Sequence, residues 1–214
     1  MQKIKSRSAK RVFSWVLIAV SLTAAVPAQA FELGALAGLD FASRTIEPEA
    51  VGTTYDGGTG FVGGAFVQFG FLPGFTWEVN ALSQGRHSKA TTGGNETITR
   101  VSYWTFPLIG RLWLGDFLSV GAGPYLGLVS GNVTSENRTA SGSVTSSLPA
   151  SSQNIGTTDF GLVASGQMKL GLAPTLSLLV DVRYVLGLTD FDKTAAATQR
   201  WRDVMILAGL SFGL

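Results

Sequence analysis

From Leu176 to Leu188 an apolar side chain falls on every second position: Leu176, Leu178, Val180, Val182, Tyr184, Leu186 and Leu188. The alternate positions hold Ser177, Leu179, Asp181, Arg183, Val185 and Gly187. The period of two returns at Ile206, Ala208, Leu210, Phe212 and Leu214. Successive strand side chains leave opposite faces, so each segment predicts a β-strand with one wholly apolar face and one mixed face that carries charge. The same reading gives eight strands, near 31–43, 60–71, 75–86, 97–113, 117–131, 158–170, 175–188 and 202–214. No charged residue enters the apolar set of any of them, which includes Leu33, Phe41, Val67, Val79, Phe106, Val120 and Leu162.

The connections alternate in length. Leu72-Pro73-Gly74, Gly115-Asp116 and Gly171-Leu172-Ala173-Pro174 are short turns, whereas 44–59, 87–96, 132–157 and 189–201 are long and polar. A membrane barrel has short periplasmic turns, longer outer loops and an even strand number. The pattern therefore predicts an all-β, eight-stranded antiparallel up-and-down transmembrane β-barrel with both termini in the periplasm. Aromatic residues at strand ends suit interfacial girdles: Phe31, Phe69, Phe71, Phe75, Trp77 and Phe212 on one rim, and Phe41, Trp104, Phe160 and Tyr184 on the other. A soluble lipocalin-like barrel uses the same alternation with its apolar face inward, and periodicity alone does not separate the two. Glycines on the charged face (Gly34, Gly38, Gly64, Gly121, Gly123, Gly127, Gly161 and Gly187) favour a lumen too narrow for larger side chains.

Residues 1–30 read as a cleaved signal peptide, which leaves 31–214 as the barrel. Lys3, Lys5, Arg7, Lys10 and Arg11 precede an apolar run from Val12 to Val26, and Pro27 then leads into Ala28-Gln29-Ala30. Removing those five basic residues leaves eleven basic against fourteen acidic ones, so the pI near 9.0 of the whole chain is no argument for nucleic-acid binding. With no cysteine, disulfides and thiolate sites are excluded. A hydrophobic fraction of 45% is enough for a folded chain despite 27 glycines.

Three segments carry family character: Tyr103-Trp-Thr-Phe-Pro-Leu-Ile-Gly-Arg111, Gly121-Ala-Gly-Pro-Tyr-Leu-Gly127 and Asp181-Val-Arg-Tyr-Val-Leu-Gly-Leu188. In strand order they resemble the outer-membrane beta-barrel domain family of porin-like Gram-negative proteins. The resemblance spans essentially all of 31–214 and implies an eight-stranded meander in the outer membrane. It also implies contact with outer-membrane lipid and lipopolysaccharide, and biogenesis through periplasmic chaperones and the barrel-assembly machinery. Most members of that family have no assigned activity. The chain departs from the pattern at Thr105, where many relatives carry a lumen-facing acid, and at its C-terminal Leu214, where an aromatic is usual and Phe212 stands two residues earlier.

The candidate lumen set is Glu32, Asp40, Glu78, Arg111, Lys169, Asp181 and Arg183. Opposite signs on one inward surface suit either an ion path or a plug of mutually satisfied charges, and the narrowness of eight strands favours the plug. Arg100, Arg200 and Arg202 have outward parity at the outer strand ends, where guanidinium groups could meet lipopolysaccharide phosphates or simply solvate the loop bases. His87 and Ser88 are adjacent and so face opposite ways along a strand, which is wrong for a nucleophile and its base. The expectation is a non-enzyme without metal or cofactor. Asp190 and Asp192 alone are too few for calcium. Asn95, Asn132 and Asn137 begin chance matches to a glycosylation sequon. Residues 132–157, rich in Ser, Thr, Asn and Gly, are expected to be mobile. The functional expectation is a structural or narrow-pore envelope protein. The alternatives are a surface adhesion module acting through its loops and, last, a lipid A-modifying enzyme.

Overall fold

The computed structural model describes residues 31–48, 51–153, 156–191 and 198–214. The signal-peptide expectation for 1–30 lies outside the described residues, as does Asp192. Nine strands form: β1 (Phe31–Glu47), β2 (Thr53–Leu72), β3 (Phe75–Thr92), β4 (Asn95–Leu114), β5 (Leu118–Thr139), β6 (Gly142–Pro149), β7 (Thr158–Ala173), β8 (Leu176–Gly187) and β9 (Thr198–Gly213). Every pairing is antiparallel. Eight of them close a ring, in which β5 pairs β7 and β9 returns to β1, while β6 branches from the outer half of β5.

The two faces of the alternation meet different surroundings. Outward residues stay open around the belt: Leu33, Phe41, Val120, Leu162, Val182 and Ile206 are all 42–49% exposed. Their inward neighbours are closed, with Asp40, Glu78, Arg111, Asp181 and Arg183 at 0%. An uninterrupted apolar belt around a buried charged interior is the reverse of a soluble barrel, and its solvent must be lipid. Along the lower rim Phe31 is opposite Phe69, Phe69 is opposite Trp77, and Phe75 packs edge-on against Trp77 at 5.4 Å.

The expectation of long polar loops is corrected. The strands run on above the belt. Residues 87–96 are a hairpin in which β3 and β4 join through Gly93-Gly94, with φ of 56° and 85°. Two successive positive φ angles fit a tight hairpin turn that matches strand twist, which is why two glycines stand there. Within 132–157 the described residues are not irregular: Asn132–Thr139 pairs with Gly142–Pro149 residue for residue, and a 3-10 turn follows at Ala150–Gln153. Composition misled because a sheet edge can template new strands through backbone hydrogen bonds without burying much apolar surface.

Candidate functional site

The lumen is the chemical centre of the molecule, and it is built in two layers. The inner layer joins β3, β4, β7 and β8. Arg111 donates from Nε to Glu78 Oε2 at 2.6 Å and from Nη2 to Asp181 Oδ2 at 2.8 Å, with a further bond from Nη1 to Ser165 Oγ at 2.9 Å. Arg183 donates from Nη2 to Glu78 Oε1 at 2.9 Å and from Nε to Asp181 Oδ2 at 2.9 Å. Asn80 donates to Glu78 Oε1 and accepts from Arg183 Nη1 and Nη2, while Ser165 donates to Asp181 Oδ1 at 2.5 Å. Two guanidinium groups thus meet two carboxylates, and each carboxylate receives several charge-assisted bonds. Room for Arg111 comes from Gly121: a Cβ there would stand 2.7 Å from Ile109 Cγ2 and 3.0 Å from Arg111 Cγ.

The outer layer has another composition. Its centre is Arg86, fully buried, which donates from Nη1 to Asp159 Oδ2 at 2.5 Å and from Nε to Asp203 Oδ2 at 2.8 Å. The guanidinium carbon lies 4.7 Å from the Tyr103 ring centroid, 5.6 Å from that of Trp201 and 5.8 Å from that of Tyr125. Tyr125 donates its hydroxyl to Asp159 Oδ2 at 2.6 Å, and Thr189 donates to Asp159 Oδ1 at 2.7 Å. Gln84 bridges the remaining acids through Nε2, at 2.9 Å to Asp40 Oδ2 and 3.0 Å to Asp203 Oδ2. Asp40 Oδ1, Asp203 Oδ1 and Gln84 Oε1 meet no hydrogen-bond donor among the described residues. Above this layer Arg44 stacks over Phe191 and Trp201, at 5.4 and 5.6 Å from their centroids.

Between the layers is a void of about 10 Å³, lined in part by Gln84, Arg86, Thr105, Tyr125 and Arg183. That is scarcely room for one water molecule. Thr105, where a family acid would sit, is one of its walls. Below the inner layer the lumen widens into a periplasmic vestibule whose two recesses, about 290 and 390 Å³, share Glu32 and Lys169. Those two residues pair with each other, and the Lys169 ammonium lies 5.6 Å from the Trp113 ring.

The seven lumen residues read from the sequence therefore divide three ways. Glu78, Arg111, Asp181 and Arg183 share one network, Asp40 belongs to the outer layer, and Glu32 with Lys169 guards the mouth. Sequence reading passed over Arg86, Asp159, Asp203 and Gln84. Parity could have found them, since all four share the inward phase of their strands. All four fall inside the strands read from the sequence, at 75–86, 158–170 and 202–214, but parity alone does not say which inward groups meet.

Outside the lumen, the outer strand extensions carry their own ion pairs. Lys89 meets Glu96 at 2.8 Å, and Glu136 receives both Arg100, at 3.0 Å, and Arg138, at 2.6 Å. The hydrogen bond from Lys89 holds Glu96 below the ordinary glutamate range, and those from Arg138 and then Arg100 do the same for Glu136. Arg100 is thus already engaged by a carboxylate, and Arg202 donates to Thr45 Oγ1 at 2.7 Å and to the Tyr184 hydroxyl at 3.3 Å. Arg200 is exposed and makes no side-chain hydrogen bond to a described residue. His87 is half-buried beside Gly58 and Ser88 is buried on the opposite face; the imidazole makes no hydrogen bond to a described residue.

The family model for the outer membrane protein beta-barrel domain matches residues 25–193. No curated protein matches the chain. Among solved structures it is similar to the outer membrane protein OprG of Pseudomonas aeruginosa, at 10% identity and a TM-score of 0.53, over 86% of this chain and 96% of that one. Neisserial surface protein A is similar at 12% identity and a TM-score of 0.47, over 86% and 97%. The attachment invasion locus protein Ail of Yersinia pestis follows at 9% and 0.45, over 86% and 99%. At such identities the likeness to OprG concerns the fold alone.

Proposed function

Because the chain belongs to the outer membrane protein beta-barrel domain family and is an outer-membrane protein, we propose that it is a closed, non-catalytic barrel whose lumen is a plug. The observation that carries this reading is the stacking of two fully buried charge layers with only about 10 Å³ between them. An ion passing through would have to break guanidinium–carboxylate pairs in each layer in turn, and it would leave unpaired buried charge behind. The void lacks the polar, water-filled width of a porin. Catalysis is a poorer fit, because the His87 imidazole hydrogen-bonds to no hydroxyl and no carboxylate among the described residues and Ser88 leaves the opposite face of the strand.

Planar-bilayer recording tests the reading. The refolded wild type is expected to be silent, while Arg86→Gly combined with Arg183→Ser, which empties both walls of the void, is expected to conduct. Discrete wild-type openings at moderate voltage would sink the plug and restore the narrow-pore alternative.

A second reading, surface adhesion, is favoured by one observation: the strands continue past the lipid belt as an ordered sheet. Of the three basic residues proposed for lipopolysaccharide phosphates, Arg200 remains the best placed, because Arg100 and Arg202 already have partners.

A further inference from the structure

Above Ala42 and Gly58 the barrel wall splits. β1 continues with β9 alone, through Glu47 opposite Thr198, and β2 continues with β3, through Thr53 opposite Thr92. The upper parts of β1 and β9 thus form a two-stranded flap beside the outer sheet. Side chains of the outer lumen layer bridge this seam from within. Gln84 and Arg86 reach across from β3, while Asp40 stands on β1 and Asp203 on β9. Asp40 lies just below the last β1–β2 pair, Ala42 with Gly58.

The bridge is short of hydrogen-bond donors. Asp40 and Asp203 are 0% exposed and Gln84 1%, yet Asp40 Oδ1, Asp203 Oδ1 and Gln84 Oε1 meet no donor among the described residues. Buried polar groups are ordinarily paired, and an unpaired buried charge is the costliest exception. Arg86 serves Asp159 and Asp203 but not Asp40, whose one hydrogen bond comes from Gln84 Nε2. The other charged and titratable groups around the pair are committed elsewhere. Arg183 of β8 belongs to Glu78, Asp181 and Asn80, and Arg44 of β1 donates to Gln199 above the layer. Tyr125 of β5 donates to Asp159, and the Tyr103 ring of β4 faces the Arg86 guanidinium. β2 sets only Gly60 opposite Asp40.

We propose that Asp40 and Asp203 hold one proton between them, seated on Asp40, and that this proton latches the flap to the outer sheet. Gln84 Nε2 gives one hydrogen to each acid, at 2.9 and 3.0 Å, so the two carboxylates are neighbours. Two carboxylates that share a buried site titrate apart, and one of them keeps its proton. Arg86 holds Asp203 in its ionised form through Nε at 2.8 Å, which leaves the proton to Asp40. Of the two hydrogens on a primary amide nitrogen, one lies on the side of the amide oxygen. An acid that accepts this hydrogen turns its second oxygen toward the amide oxygen, and a proton there closes an acid–amide ring. One proton on Asp40 Oδ1 thus partners Gln84 Oε1 as well, and joins β1 to β3 by two bonds. When it leaves, the ring opens to a single bond and two adjacent carboxylates repel at the base of the flap. This inference goes beyond the closed-barrel reading and does not depend on whether the lumen conducts.

Infrared spectra of the refolded full barrel test the proton. At neutral pH the wild type is expected to show the carbonyl band of one protonated carboxylic acid, and raising the pH is expected to exchange it for a carboxylate band. Asp40→Asn carries the bridging hydrogen permanently and is expected to lack the band, while heat-modifiable gel migration shows that it is folded. A wild type without the band would overturn the shared proton. So would a band that survives in Asp40→Asn, which would place the proton on another group. Amide exchange tests the latch. Over residues 43–47 and 198–202 the two proteins are expected to exchange alike at neutral pH. As the acid band disappears, the wild type is expected to exchange faster there than Asp40→Asn at the same pH. Equal exchange across the transition would overturn the latch.

Discussion

The same strands pass through two solvents, and they are held by different forces in each. Within the lipid belt a strand has an apolar outside and a polar inside, and its charges are buried at 0% exposure in networks such as Glu78–Arg111–Asp181–Arg183. Above the belt the outward face meets water, while the inward one closes over a smaller apolar cluster that includes Val101, Val133, Ala150, Phe191 and Trp201. There the pairing rests on backbone ladders, on that small cluster and on half-exposed cross-strand pairs such as Lys89–Glu96 and Arg100–Glu136. Exposed pairs gain little over their hydrated state, whereas a buried pair that loses one partner strands a charge where nothing else can solvate it. The outer sheet is therefore the part whose ion pairs can be broken at small cost, while the lumen is the part where a lost partner costs most.

The largest break in that contrast is Arg111→Ala. It leaves Glu78 and Asp181 short of a cation in a fully buried layer, and it is expected to cost about 3–5 kcal/mol. Urea unfolding in micelles, followed by tryptophan fluorescence, measures it. A midpoint unchanged from wild type would mean that the inner layer is hydrated and not a plug.

Asp40→Asn sharpens the comparison within the lumen. The inner layer sets two arginines against two acids, but the outer layer sets Arg86 against Asp40, Asp159 and Asp203, and Asp40 Oδ1 has no donor among the described residues. Removing that charge while keeping the shape is expected to raise stability by about 1 kcal/mol, on the scale of a single hydrogen-bonding group. The same unfolding experiment reads it, and a loss as large as that of Arg111→Ala would show that the excess negative charge is needed.

The smallest effect belongs to the outer sheet and is seen with pH. Glu96 and Glu136 are held below the ordinary glutamate range by their Lys and Arg partners. Their pairing thus contributes fully above the unfolded glutamate value and fades as pH falls through the lowered folded value. Amide exchange in Asn95–Arg100 and Thr134–Thr139 is expected to speed up on acidification before the belt responds. Simultaneous loss of protection in both parts would mean that the extension is not separately stabilised.

How far each part was legible follows from the same physics. In the belt, lipid penalises every outward charge, so the period-two pattern of Leu176–Leu188 or Phe31–Phe41 is strict and reads directly as strand and face. Arg86, Asp159 and Asp203 keep that parity inside the strands read from the sequence, but their meeting in one layer depends on the register between strands. In the outer sheet water tolerates polar groups on both faces, so Asn132–Pro149 shows no apolar alternation and reads as irregular chain. Only the Gly93-Gly94 dipeptide betrayed a hairpin there, because its two left-handed residues are a local requirement.

The sequence by itself determined the barrel, its strand phase, its membrane belt and the inward side of its charges, since all of these follow from alternation and local turn chemistry. Tertiary structure alone decided which charges meet, how they separate into a balanced and an unbalanced layer, and where the wall splits above Ala42 and Gly58. Those are matters of register between strands distant in the chain, and a pattern with period two is unchanged when a strand slides by two residues.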